Sequence, residues 1–252
     1  MDIIALMDET DFDMGKAGPL AQFMVTSTYV KRMAEKMIHA CPTALVAIFA
    51  RPVTSSLAMV SELYKRAGWW DPDRIIGSTA IDCMRIEAMA AHLLDLNPAY
   101  FSVPIVGGAD PCTVVPLLSH AKPINLFTKD QENMLLRRLR SADKELASTE
   151  LKGPKISSGA AAAKLIVSLA GGLSGYKNII SCAFVRSNVL PVCRFYASEL
   201  EFGPNGVQKN YGLPKVSQRE LSLIEESIPL INEYVSVAID NVHSEKEEKI
   251  KV

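Results

Sequence analysis

Residues 45–52 read Leu45-Val46-Ala47-Ile48-Phe49-Ala50-Arg51-Pro52, and this stretch decides the fold class. An unbroken apolar run of this length, with β-branched Val46 and Ile48, predicts a strand buried on both faces, halted by Arg51-Pro52. The next segment, Ser55 to Ala67, carries Leu57, Val60, Leu63 and Tyr64 at helical spacing, and Gly68 closes it in the manner of a C-cap. The same alternation recurs upstream. Ile3-Ile4-Ala5-Leu6-Met7 reads as a short buried strand, followed by a loop at Gly15, Gly18 and Pro19. A helix then places Val30, Met33, Ala34, Met37 and Ile38 on one face and ends at Cys41-Pro42. Downstream, Asp71-Pro72-Asp73-Arg74 is a turn and Ile75-Ile76-Gly77 is extended. Strand alternating with helix predicts an α/β fold with a parallel sheet and crossover helices.

Beyond this core the pattern loosens. Ile81 to Leu94 is helical by periodicity, and Tyr100 to Val106 reads as a strand broken by Gly107-Gly108. Long helices mixed with strands follow, over Asp130–Glu150, Gly159–Gly171, Ile179–Arg186 and Arg194–Ser198. A final helix from about Ser217 to His243 lines up Leu221, Ile224, Ile228, Ile231, Val235 and Ala238, with a kink expected at Pro229. Glu245-Lys246-Glu247-Glu248-Lys249 reads as a solvated, frayed end. Gly171-Gly172-Leu173-Ser174-Gly175 follows a helix and reads as its terminus.

Composition narrows the function classes. The 252 residues are 48% hydrophobic and 22% charged, average for a globular protein, with Lys+Arg 27 against Asp+Glu 28. A net charge of −1 argues against a nucleic-acid partner or a polybasic membrane contact. No apolar run approaches the length of a bilayer span, so no membrane partner is expected. Acidic Asp2, Asp8, Glu9, Asp11 and Asp13 fit neither a signal peptide nor an Arg-rich presequence. Cys41, Cys83, Cys112, Cys182 and Cys193 are odd in number and widely spaced, which reads as buried thiols in a reducing compartment. His39, His92, His120 and His243 each stand alone, so no metal site is expected.

Six stretches, in order, resemble NAD-dependent malate dehydrogenase of the mitochondrial and bacterial type. They are Cys41-Pro42 with Ala50-Arg51-Pro52-Val53, Gly77 to Arg85, Val103 to Gly108, Val114 to Ser119, Asn205 to Asn210 and Lys215-Val216-Ser217. The resemblance covers nearly the whole chain. It implies the remnant half of a doubly wound dinucleotide-binding sheet over residues 1–80, followed by a mixed α/β C-terminal malate-dehydrogenase-like domain over 81–252. In that family a His takes the hydroxyl proton while hydride passes to nicotinamide, an Asp orients the His, and arginines clamp the substrate carboxylates.

Carried over position by position, little of this machinery remains. Asp82 matches the orienting carboxylate and Arg85 a substrate-binding arginine, three residues apart on one helix face. The His should follow Gly107-Gly108, where this chain has Ala109, which accepts no proton. Asp110, before Pro111, is expected to point elsewhere, and His120 lies too far along to substitute. Arg51 stands where the family has an Asn. The substrate loop corresponds to Thr10–Pro19, with no arginine and with Asp11 and Asp13, and Gly153-Pro154-Lys155 replaces a Ser-Ala-Thr segment near the nicotinamide. The resemblance opens at what corresponds to the fourth strand, so the Gly-x-Gly-x-x-Gly turn and its helix have no counterpart. No cofactor is therefore expected here, although the family uses NAD.

The resulting expectation is a malate-dehydrogenase-like pseudoenzyme, a structural or subunit-binding protein, with Asp82 and Arg85 vestigial. Two alternatives stay open: an NAD-dependent malate dehydrogenase represented by a fragment, and a non-catalytic anion or dicarboxylate binder. Ile3–Met7 becomes an exposed sheet edge, which favours a homo-oligomer or a hetero-oligomer with intact malate-dehydrogenase-type subunits. The resemblance suggests the mitochondrial matrix, with the cytoplasm as the alternative, although no presequence is visible.

Overall fold

The computed structural model describes residues 2–8, 18–124, 126–147 and 155–250. The first half runs β1 (Ile3–Leu6), α1 (Pro19–Ala40), β2 (Leu45–Ile48), α2 (Val53–Arg66), β3 (Ile75–Ser78) and α3 (Ala80–Leu93). The second runs β4 (Ile105–Gly107), β5 (Val114–Pro116), α4 (Lys129–Ala147), α5 (Lys155–Leu173), β6 (Ile179–Arg186), β7 (Phe195–Gly203), β8 (Gly206–Asn210) and α6 (Gln218–Ile250).

One mixed sheet organises these elements, in the order β1-β2-β3-β6-β7-β4-β5, with β8 beside β7. β1, β2 and β3 are parallel, with Ile4 opposite Val46 and Ala47 opposite Ile76. β3 then pairs antiparallel with β6, Gly77 opposite Phe184, so the sheet continues without interruption across residue 80. The continuous apolar run of β2 now has its reason. Val46 and Ile48 face a core built from Phe23, Val30, Leu57 and Ile231, while Leu45 and Ala47 face Ile76, Leu165 and Leu169 on the other side. A strand covered on both faces needs no polar alternation. A third cluster, with Ile86, Phe101, Ile105, Leu135 and Leu139, packs α3 and α4 against β4.

Several expectations are corrected. Tyr100–Val106 is not one strand. Pro98–Tyr100 is a 3-10 turn capped by the Asn97 side chain, Ser102 bridges singly to Lys122, and only Ile105–Gly107 is strand. Pro104 carries no N–H for a ladder. β8 was not anticipated, although Asn205-Gly206 is a hairpin signal; Gly206 takes φ +109° in the turn that pairs it with Gly203. α1 starts at Pro19, well ahead of Val30, because its first turns bury polar Gln22, Thr26 and Ser27. α6 passes Pro229 and continues to Ile250, so the charged tail extends the helix.

Residues 156–173 of α5 average a hydropathy of 1.5, long and apolar enough by composition to cross a membrane, against the expectation of no such run. Ser157, Ser158 and Lys164 break the run to the eye. Its Ala161, Leu165 and Leu169 are buried against the sheet. The thiols also differ from expectation: only Cys193 is buried, and Cys112 is exposed in the turn after Pro111.

Candidate functional site

The carboxyl ends of the three parallel strands converge on one rim. Asp8 follows β1, Arg51 follows β2, Ser78 closes β3, and α3 starts immediately afterwards with Asp82 and Arg85 on its inner face. In open α/β sheets this rim is where ligands bind. A pocket of about 80 Å³ lies there, lined also by Ala109, Asp110 and Asp143. The structure brings Arg51, Asp82, Arg85 and Ala109 to the lining of this one pocket.

The Gly107-Gly108 turn sets the position of Ala109. Gly107 has φ +99°, and a Cβ on Gly108 would collide with the Thr113 side chain, so only glycine permits this fold-back. The Gly108 N–H donates to the Thr113 carbonyl at 3.0 Å, and the buried Ala109 donates its own N–H to Thr54 Oγ1 at 3.1 Å. Its methyl group adds no polar atom to the pocket.

Asp110 behaves partly as expected. It lines the pocket, but its carboxylate accepts the N–H groups of Val53 (3.0 Å) and Thr54 (3.2 Å). These are orphan donors at the start of α2, whose preceding residue, Pro52, has no capping side chain. Burial pushes the Asp110 pKa up, opposed by its bonds to Thr54 and Val53 and by Arg51.

The charged side chains form a chain of alternating sign. Arg51 donates its backbone N–H to Asp8 Oδ1 at 2.7 Å and its Nε to Asp8 Oδ2 at 3.1 Å. Its Nη1 lies 3.9 Å from Asp143 Oδ1, the same oxygen that accepts from Arg85 Nη2 at 2.6 Å. Arg85 Nη1 is 3.7 Å from Asp82 Oδ1, an ion pair too long for a hydrogen bond. Both arginines are therefore occupied by carboxylates of this chain. Asp82 is only 3% exposed, and among the described residues its Oδ1 has no hydrogen-bond partner. Burial pushes its pKa up to about 7; Arg85 and Arg51 oppose the shift, while Asp143 and Asp110 add to it.

All four histidines are described, and none lines the pocket. His39 and His92 lie in the last turns of α1 and α3, His120 bonds Ser119 Oγ at 2.9 Å, and His243 sits between Arg66 and Glu62. Most of the Thr10–Pro19 loop (residues 10–17) and Gly153-Pro154 lie outside the described residues. The glycine-rich 171–175 stretch is a helix terminus, as read: the Tyr176 N–H bonds Gly171 O and the Gly175 N–H bonds Gly172 O, with Gly175 at φ +83°. Sequence reasoning missed Asp143, which reaches the site from α4 across 58 residues with no local motif. It also assigned no site role to Asp8, although a carboxylate directly after a parallel strand was a usable signal.

Comparison with known proteins places this geometry. The lactate/malate dehydrogenase alpha/beta C-terminal domain matches residues 79–239. The mitochondrial malate dehydrogenase of Caenorhabditis elegans is 33% identical over 226 residues, covering 86% of this chain and 64% of its own length. That of Bos taurus is 32% identical over 209 residues, covering 82% and 62%. The chain thus spans a little under two thirds of these two relatives. A lactate dehydrogenase of Cryptosporidium parvum, solved with lactic acid and NAD, shares the fold with a TM-score of 0.78 at 18% identity, covering 94% of this chain and 76% of that one. The mixed α/β sheet, the rim pocket and these matches agree: the chain belongs to the lactate/malate dehydrogenase family.

Proposed function

We propose that this chain is a non-catalytic member of its family, a structural or subunit-binding protein. On this reading residues 1–80 form a dinucleotide-binding-like part and residues 81–252 the malate-dehydrogenase-like part. The observation that carries it is Ala109, in the place of the proton acceptor, with no imidazole elsewhere in the pocket. A general base contributes about two to four powers of ten to such a reaction, and alanine supplies none of it. The arginines support the same reading. A dicarboxylate entering the pocket must displace Asp143 and Asp8 from Arg85 and Arg51 before it can be clamped.

NAD, with which the lactate dehydrogenase of Cryptosporidium parvum was solved, finds no pyrophosphate cradle in the glycine-rich stretch 171–175. That stretch spends its N–H groups on closing α5.

The relatives' mitochondrial names support a mitochondrial location for this chain, to be checked by subcellular fractionation. The deciding experiment is NADH oxidation with oxaloacetate, measured on the chain and on Ala109→His. Both are expected to be silent, because the histidine alone leaves the arginines tied up. Turnover by the unsubstituted chain overturns the proposal.

A further inference from the structure

Two thiols meet where the parallel part of the sheet joins the antiparallel part. Ser78 on β3 pairs with Ala183 on β6, so Cys182 lies beside the point where the chain leaves β3 for α3. Cys83 occupies the first turn of α3, its N–H donating to the Thr79 carbonyl at 3.0 Å. Thr79 ties the two together across 103 residues of chain. Its Oγ1 donates to the Cys182 carbonyl at 2.9 Å and lies 3.8 Å from Cys83 Sγ. Both cysteine side chains pack against the apolar cluster of Ile86 and Ile105, and their thiols are in contact. Both are free, and neither residue is fully buried.

We propose that Cys83 and Cys182 form a reversible modification site, oxidised to an intramolecular disulfide by a low-molecular-weight disulfide of the glutathione type. Cys182 gives up its proton and its sulfur attacks one sulfur of the small disulfide. That S–S bond breaks, and one small thiolate leaves and takes up a proton. Cys83 then loses its proton and attacks the Cys182 sulfur of the mixed disulfide, expelling the second small thiol. Two protein thiols are oxidised by two electrons, and one small disulfide is reduced to two thiols.

The order of attack follows from the surroundings of each sulfur. Contact with Cys182 and burial push the Cys83 thiol well above its ordinary range, with Glu87 adding to the shift and Thr79 opposing it. A thiol held in this way is a poor first nucleophile, but a neighbour already in place can still resolve a mixed disulfide. The Ile105 N–H donates to Cys182 Sγ at 3.3 Å and holds that sulfur in position. Sulfurs already in contact reach the bonded distance of about 2.05 Å through small side-chain rotations. The bond would fasten the first turn of α3, which carries Asp82 to the rim pocket, onto β6. Nothing in this chemistry uses the pocket, so it stands or falls separately from the proposed function.

The test is incubation of the folded full chain with oxidised glutathione, followed by acid quenching, alkylation of the remaining thiols and non-reducing peptide mapping by mass spectrometry. The expected product is a Cys83–Cys182 linkage, lighter than the reduced pair by two hydrogens and reversed by dithiothreitol. In Cys83→Ser the expected product is instead a stable glutathione adduct on Cys182. Mapping reads each cysteine separately, so the exposed Cys112 does not obscure the result. Recovery of both thiols alkylated, a linkage from either one to a different cysteine, or an adduct on Cys182 of the parent that never resolves overturns the inference. If Cys83→Ser does not fold, the map of the parent decides alone.

Discussion

Asp82 lies 3.7 Å from Arg85 yet leaves Oδ1 unbonded, because the guanidinium is drawn to Asp143 at 2.6 Å. This has a consequence for stability. Folding raises the Asp82 pKa to about 7, whereas the unfolded chain titrates near an ordinary value of about 3.9. Between these values the native state holds the extra proton. The stability contributed by protonated Asp82 is full below about pH 4 and is lost as pH rises through about 7. Asp82→Asn, which stays neutral, is expected to remove this slope, about 1.4 kcal/mol for each pH unit in the window. Urea unfolding of both proteins at pH 5 and pH 8 checks it: the variant should gain relative to the parent at pH 8.

At the scale of elements, two carboxylates tie helix starts to distant segments. Asp110 caps α2 from across the sheet, and its replacement by alanine strands two buried N–H groups. A loss of about 1–2 kcal/mol is expected from Asp110→Ala, read as a lower midpoint in denaturant at unchanged slope. Glu220 joins α6 to the 118–120 turn. It accepts the Ser217 N–H at 2.8 Å, Ser217 Oγ accepts the Glu220 N–H at 3.3 Å, and Ser119 donates both N–H and hydroxyl to the same carboxylate. Burial pushes its pKa up, but these bonds more than offset it and hold the group low. Its contribution is therefore present at neutral pH and lost as pH falls through the lowered pKa. Glu220→Gln should cost about 1 kcal/mol at pH 7 and progressively less in acid, by the same unfolding measurement. The Ser217-x-x-Glu220 spacing is a capping box visible in the sequence; its third tie, to Ser119, is not.

At the scale of the whole sheet, β1 is an edge strand among the described residues, with Ile3 and Ile4 half-buried and Ala5 exposed. Such an edge offers unpaired backbone groups beside apolar side chains. On the proposed subunit-binding reading, size-exclusion chromatography with light scattering should give a mass above the 27.5 kDa of one chain, or co-elution with an added intact malate dehydrogenase. A well-folded monomer that ignores the added subunit counts against that reading.

The sequence by itself determined the alternation of β1 to α3, because periodicity and flanking Gly or Pro act over a few residues. It also determined that the residue after Gly107-Gly108 is Ala109, whose side chain has no atom that accepts a proton. It read Tyr100–Val106 as one strand and did not anticipate the hairpin of β8, since short segments with proline or mixed polarity take their form from what they pack against. Only the tertiary structure brought Asp8, Asp143 and Asp110 to the same rim as Asp82, Arg85 and Arg51. Ion pairing in a buried pocket depends on distance through space, and chain separations of 43 and 58 residues leave no trace of it in local pattern.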